Sequence, residues 1–418
     1  MVVPHLGRWI ERCPMSLNAV IGQSGGPTTV INSSLAGFVQ ALRVGSRYDR
    51  VLGMKFGVEG LLEERLVDLG REDDRTWERI RRTPSSALGS SRHKLNQEDL
   101  PTIRDVLERH DIRCLVLIGG NDTMGTLQSL VEYLDSVSYK FVGIGIPKTV
   151  DNDLYGTDHT PGFPSAARYV ALSVQQVGRL GHDMRRVDSF MVHQTVGRDA
   201  GWLAAAAAAA RFKPGDPPHL IYTPERPLDR DRVLIEVQRC VGRYGWCFIV
   251  CSEGIRWKDG TPVSDGQEKD NFRNIEYGAT GGGSAAMALH GLIRKETGMR
   301  GEFQVTESLS MCAIDRVSPV DLEEAYACGM FAASLADAGV SGVMVSMARN
   351  VSAEYSVQYK TVPLAEVAER AKPMPDNFLS TAGNDVSENF LSYLRPLMGP
   401  MEEFGSLTGY PAVKVRKG

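Results

Sequence analysis

Cysteine is scarce in this chain of 418 residues, and its seven copies, Cys13, Cys114, Cys240, Cys247, Cys251, Cys312 and Cys328, form an odd and irregular set. That argues against a disulfide framework and for the free thiols of a cytoplasmic protein. Cys247 and Cys251 could look like half a metal site, but they sit in an apolar, strand-like run with no partner Cys-x-x-Cys pair and read as strand residues. Long apolar runs are also missing. The longest, Trp202 to Ala210, is nine residues of mostly alanine, less than half the ~20 that a membrane span needs. Residues 1–15 have neither a continuous apolar core nor a small-residue cleavage site and read as a loose extension, not a secretory signal. Nor is there an excess of one charge: 47 Lys and Arg stand against 51 Asp and Glu, for a net charge of −4. Such a surface has no general field to hold nucleic acid or an anionic membrane, and an anionic ligand must be bound locally.

What is present is an alternation. Short apolar runs, Leu17–Ile21, Cys114–Ile118, Phe141–Ile146, Phe190–Val192, Trp246–Val250 and Val343–Val345, end in glycine or polar clusters. Between them, helical spacing covers Val30–Val44, Thr123–Leu134, Ser165–Leu180, Arg230–Tyr244, Ser284–Thr297 and Asp321–Ala338. The alanine run reads as tight helix packing. Strands alternating with helices predict an α/β protein with parallel sheets covered on both faces. A mass of 45.8 kDa, at about 150 residues per domain, suggests two or three domains. The Pro/Gly stretch at Asp158–Pro164 suggests a crossing between two α/β lobes. Lys213–Pro218 and Lys258–Asn271 read as surface loops, the first at a site entrance.

In parallel sheets ligands bind beyond the carboxyl ends of the strands, and four loops there are chemically rich. Gly22-Gln-Ser-Gly25-Gly26-Pro is a glycine turn opening a helix, suited to an anion but equally to a plain tight turn. Its spacing fits neither the dinucleotide fingerprint nor the Walker loop. Gly119-Gly120-Asn121-Asp122-Thr123 combines close backbone approach with oxygen ligands, which suits Mg²⁺ and phosphate; alternatively Asn121 or Asp122 only caps a helix starting at Thr123. Pro147-Lys148-Thr149-Val150-Asp151-Asn152-Asp153 places a cation three residues before a pair of carboxylates, the minimum for neutralising a phosphoryl group and accepting a hydroxyl proton. Val196-Gly197-Arg198 sets an arginine at a helix entry, where it can grip phosphate.

In order and spacing these loops, with Ser252-Glu253-Gly254, resemble the phosphofructokinase family over roughly residues 16 to 400. The resemblance implies two Rossmann-like, three-layer lobes with an active-site cleft between them. A donor lobe would span 16–163, completed by about 311–360, and a sugar lobe 164–310, completed by about 361–418. It implies Asp151 as base toward a sugar hydroxyl, with Thr149 supporting substrate, and Asn121 and Asp153 holding Mg²⁺. Gly25, Gly26, Arg92, Gly120 and Lys148 would face the donor phosphates. Val196 and Gly197 would bind substrate, Arg198 would face the transferring phosphate or the sugar phosphate, and Glu253 would hold the sugar hydroxyls. Family members that use ATP carry glycine where Asp122 and Lys148 stand, so this pair resembles the pyrophosphate-dependent branch and implies phosphoryl transfer from pyrophosphate to the 1-hydroxyl of fructose 6-phosphate. A homodimer or homotetramer is the implied assembly.

The sequence also departs from that family. Met311 stands where an arginine ordinarily grips the sugar 6-phosphate, and Ser189 where many members lend an arginine to a neighbouring subunit. Arg185, Arg186, Arg300 and Arg316 are candidate replacements. The alternatives are the same donor chemistry on another sugar or sugar phosphate, or a non-catalytic regulatory relative.

Overall fold

The computed structural model describes residues 17–264 apart from 92 and 94, and residues 283–407 apart from 353 and 369. The extension 1–15, Arg92 and the second half of the Lys258–Asn271 loop lie outside the described residues. Eleven strands fall into two sheets. Seven of them, β1 (Asn18–Gln23), β2 (Arg50–Met54), β3 (Leu66–Asp68), β4 (Ile112–Gly119), β5 (Val142–Pro147), β10 (Val343–Arg349) and β11 (Val357–Pro363), run in the order β11-β10-β5-β4-β1-β2-β3. The other four, β6 (Phe190–Thr195), β7 (Leu220–Tyr222), β8 (Cys247–Ser252) and β9 (Gly301–Val305), run β7-β8-β6-β9 and are all parallel. In the larger sheet only the outer pairs β2–β3 and β10–β11 are antiparallel.

Each sheet is the middle layer of three. β1, β5, β6 and β8 are buried along their whole length, as two-sided covering requires. On one face of the larger sheet lie the helices Ile31–Leu42 and Pro319–Ala338, and on the other Asp99–Arg109, Asn121–Ser136 and Leu364–Val367. The first two cross at van der Waals distance because both offer glycine. A Cβ on Gly37 would stand 2.1 Å from the Tyr326 carbonyl, and one on Gly329 the same distance from that of Ser34. The smaller sheet has Phe163–Met184, the alanine segment and Glu388–Met398 on one face, and Arg230–Tyr244 and Ala285–Thr297 on the other.

Helix ends follow local chemistry. Asp229 caps Arg230–Tyr244 by accepting from the Arg232 amide, and Gly245 closes it in the left-handed region. The alanine run is helical only to Ala206 and tightens to a 3₁₀ turn over Ala207–Ala210. Lys213–Pro218 corrects the entrance reading: it leads into the amino end of β7, with Pro217 against Gly178, at the far end of the sheet from the loops that follow the strands.

Candidate active site

Both sheets reverse their strand order next to a central strand, between β1 and β4 in one and around β6 in the other. A crevice forms at such a point because successive crossovers leave in opposite directions. The loops that follow β1, β4 and β5 therefore gather at one place, and those that follow β6, β8 and β9 at another.

On the larger sheet the first loop is clamped from below. Gln23 and Asn32, both fully buried, bond each other at 2.8 Å, and their side-chain oxygens accept the amides of Leu88 and Ala87. Asn32 also donates to the Thr83 carbonyl. This pins segment 83–91 against the loop, so that the Ser91 carbonyl takes the Gly25 amide. Nothing in the spacing marked Gln23 or Asn32; polar residues inside an otherwise apolar strand and helix face are the available signal. Gly25 adopts φ +73°, which favours glycine.

Lys148 is buried, with its ammonium donating to the Gly26 carbonyl at 2.6 Å and its amide to the Gly119 carbonyl at 3.1 Å. One lysine thus stitches together the loops after β1, β4 and β5. The helix beginning there corrects the capping alternative: it starts at Asn121, two residues earlier than the spacing suggests, with Gly120 as N-cap and no side-chain cap. Asp122 is an exposed residue of its first turn. Asn121 donates from Nδ2 to Asp153 at 3.3 Å, while its Oδ1 is buried without a partner.

Thr149 anchors the third loop, taking the Asp151 amide on its hydroxyl and the Thr160 hydroxyl on its carbonyl. Between the two aspartates, Asn152 is buried at φ +54° and bonded to Thr160 and Tyr393, so the flanking carboxylates project the other way. Burial and the Asp153 charge push Asp151 up to about 7, against the opposing pull of Arg198 and Lys148. Burial raises Asp153 too.

The smaller sheet contributes the opposing wall. Glu253 donates its amide to the Thr195 carbonyl, and its carboxylate takes the Gly197 amide at 3.2 Å. Burial and the charge of Asp151 push it up to about 7. Arg198 is exposed, with its charge acting on Asp151, Asp153 and Glu253 alike. Val196 is half-buried against the core on that side. Gly254 has no room for a side chain, since a Cβ would fall 1.7 Å from the Arg198 carbonyl.

Three of the four candidate arginines lie at the far end of the sheet from this wall. Arg185 and Arg186 precede β6, and Arg300 precedes β9 and pairs with Asp188 at 3.0 Å. All three, and Ser189, whose amide bonds the Arg300 carbonyl, lie at the amino ends of strands whose carboxyl ends carry the site. The five residues of β9 alone put about 16 Å between the ends. Arg316 is held by Ser173 and Gln176 on the helix Phe163–Met184. Met311 packs half-buried against the apolar core.

A family model described as phosphofructokinase matches residues 18–330. This chain belongs to the phosphofructokinase family. A pyrophosphate–fructose 6-phosphate 1-phosphotransferase of Rhodospirillum rubrum is 38% identical over 385 residues, 91% of this chain and 94% of that protein. A sulfofructose kinase of Alkalicoccus urumqiensis is 34% identical over 364 residues, covering 87% and 92% of the two chains. The crystal structure of a pyrophosphate-dependent phosphofructokinase from Nitrosospira multiformis superposes with a TM-score of 0.84 at 33% identity, over 94% of this chain and 95% of that one. The mostly parallel, two-sheet α/β architecture is that of this family. Among the described residues no helix is long and apolar enough to cross a membrane.

Proposed function

We propose that this phosphofructokinase-family chain transfers a phosphoryl group from pyrophosphate to the 1-hydroxyl of fructose 6-phosphate, with the larger sheet as donor lobe and the smaller as acceptor lobe. The observation that carries the donor assignment is the buried Lys148 ammonium fixed on the Gly26 carbonyl. It sets an ammonium beside Gly25 and Gly26, with Gly120 next to the Lys148 backbone, where a short, highly charged donor needs a cation. Asp122 adds an exposed carboxylate at the rim that repels the further phosphate of a nucleotide. The relatives from Rhodospirillum rubrum and Nitrosospira multiformis, both named for pyrophosphate, support the same donor.

In this reading Asp151 accepts the proton of the sugar hydroxyl as its oxygen bonds to phosphorus, while the bridging P–O bond of pyrophosphate breaks and phosphate leaves. A carboxylate raised to about 7 is a suitable base near neutrality. Arg198 stabilises the transferring phosphoryl group, and Glu253 with the Val196–Gly197 backbone holds the sugar. The unpartnered Asn121 Oδ1 beside the Asp153 carboxylate fits Mg²⁺, an oxygen-seeking ion that takes one or two carboxylates and completes its shell with substrate phosphates. Bound there, the ion would neutralise phosphate charge. Arg92 completes the donor side of the proposal on the resemblance alone. The free cysteines Cys114, Cys240, Cys247, Cys251, Cys312 and Cys328 support a cytoplasmic protein, and a homodimer or homotetramer completes the reading.

A second reading keeps the donor and changes the acceptor. It is favoured by Met311 and by the placement of Arg185, Arg186 and Arg300 at the wrong end of the sheet, and a relative named sulfofructose kinase shows the acceptor varying at this level of similarity. The test is a donor-by-acceptor assay on purified protein, pyrophosphate and ATP against several sugar phosphates. Pyrophosphate-dependent turnover best with fructose 6-phosphate supports the first reading; a higher kcat/KM for another acceptor supports the second. No turnover with any pair leaves the regulatory relative. ATP turnover with none from pyrophosphate overturns the donor.

A further inference from the structure

After the helix Leu364–Val367 the chain leaves the larger sheet and crosses to the smaller one, passing directly behind the third loop. Ala371 forms an antiparallel bridge with Leu154. The Lys372 amide donates to the Asp153 carbonyl at 2.6 Å. Its ammonium donates to the carbonyls of Thr157 at 3.0 Å and Asp158 at 2.9 Å, and stands 5.3 Å from the centre of the Trp202 ring. Two residues on, the Met374 amide donates to Glu225 at 3.4 Å. The same carboxylate oxygen takes the Gly201 amide at 2.9 Å, three residues beyond Arg198. Lys372 and Met374, separated only by Pro373, thus bond the loop carrying Asp151 and Asp153 and the carboxylate that fixes the loop carrying Arg198.

We propose that Lys372 is a positioning residue for phosphoryl transfer: it closes the turn 153–158 and, through the strap 372–374, sets the carboxylates of the third loop against the Arg198 loop. The proposal rests on the reading of Asp151 and Arg198 as transfer machinery. Only a long side chain ending in several donors serves two carbonyls at once while its amide serves a third, and the indole face beneath favours a cation there. Without the ammonium, the Thr157 and Asp158 carbonyls lose their shared donor; the turn then keeps its bonds to Ser346, Met347 and Tyr393 but is tied to the strap only through the Lys372 amide and the Ala371 bridge, so its position against the strap can shift. A shift of about 1 Å in a reacting group costs on the order of 10²-fold in rate.

The test uses Lys372→Met, Lys372→Arg and Glu225→Ala in the full chain, with steady-state kinetics and amide hydrogen exchange. Lys372→Met is expected to lower kcat about 100-fold while KM for pyrophosphate stays within about threefold, because the strap bonds the third loop at its Asp153 end, away from Lys148, which is fixed on Gly26 and Gly119. Lys372→Arg, which keeps charge and donors, is expected to recover at least a tenth of wild-type kcat. Exchange over 153–160 rises in Lys372→Met and stays unchanged over 22–32. Glu225→Ala, which cuts the strap at its other end, lowers kcat, and adding Lys372→Met lowers it little further. If Lys372→Met keeps kcat within threefold, or lowers it with unchanged exchange over 153–160, or if arginine does not rescue, the proposal falls. If wild type has no turnover, the functional reading has failed by itself and exchange over 153–160 still decides whether Lys372 holds the turn. If Lys372→Met does not fold, Lys372→Arg and Glu225→Ala decide: near-wild-type kcat in Glu225→Ala overturns the proposal.

Discussion

The two walls of the candidate site are built from opposite electrostatics. On the larger sheet, backbone amides and carbonyls of glycine loops surround a buried ammonium, Lys148, and no carboxylate but exposed Asp122 stands in its two glycine loops. On the smaller sheet and the loop facing it, burial pushes both Asp151 and Glu253 up to about 7, Asp151 with help from the Asp153 charge and Glu253 with help from the charge of Asp151, while the exposed Arg198 pulls both down. In the proposed reading one wall holds negative charge in place and the other takes up a proton and bonds hydroxyls. The contrast then makes donor and acceptor chemistry separable, so a change on one wall is expected to have a signature distinct from a change on the other.

The strongest way to break the contrast is to remove the proposed proton acceptor. Asp151→Ser is expected to lower kcat by 10²–10⁴-fold, on the order typical of a lost general base, with pyrophosphate affinity retained. A variant that keeps wild-type kcat moves the role to Asp153 or to water. Next in size is Gly254→Ala, whose methyl group has only 1.7 Å to the Arg198 carbonyl and must displace the 196–201 loop. We expect kcat/KM for the acceptor to fall about 30-fold with KM for pyrophosphate little changed; an equal rise in both KM values would show that the walls are not independent.

A third test addresses the seam behind both walls. His159 is fully buried with one ring nitrogen 2.9 Å from Asp158 and the other 2.7 Å from Glu324. Asp321 on the same helix as Glu324 also acts on it, the Tyr355 ring stands 6.5 Å away, and Arg349 of β10 shares Asp158. Hydrogen bonds to Asp158 and Glu324 raise its pKa to about 8 against the opposing effect of burial. Since the folded value lies above the unfolded one near 6.5, its stabilisation is complete below about pH 6.5 and is lost as pH rises through about 8, a change of about 2 kcal/mol. Denaturant titrations between pH 6 and 9 should show that loss in wild type and its absence in His159→Gln. The smallest effect concerns the rim: Asp122→Gly removes one exposed like charge and should raise kcat/KM for ATP about fivefold, with Lys148 still disfavouring nucleotide. No change in ATP use would take donor choice away from Asp122.

The legible parts of this molecule are its buried ones. All six apolar runs read from the sequence are central or inner strands, because a strand covered on both faces has to be continuously apolar. The strands that were not read, β2, β3, β7, β9 and β11, are short or lie toward the sheet edges. β9 is half-exposed, and β2 is interrupted by Gly53, where a Cβ would meet Leu88 at 2.8 Å. The helix from Asn121 begins earlier than its apolar spacing because its first turn faces the site, not the core.

The sequence by itself determined the order of strands and helices, and with it which loops stand at the carboxyl ends, since apolar period and glycine punctuation are local properties of the chain. It also determined that a lysine, two aspartates, an arginine and a glutamate occupy those loops. Tertiary structure alone decided which of them meet. The charge of Asp151 reaches Glu253 because strands from two sheets end at one crevice. Arg185, Arg186 and Arg300 are kept from it because they lie at the amino ends of those strands. Lys372, 219 residues after Asp153, is brought against its carbonyl by a chain that crosses between the sheets, and no periodicity records a contact made across that distance.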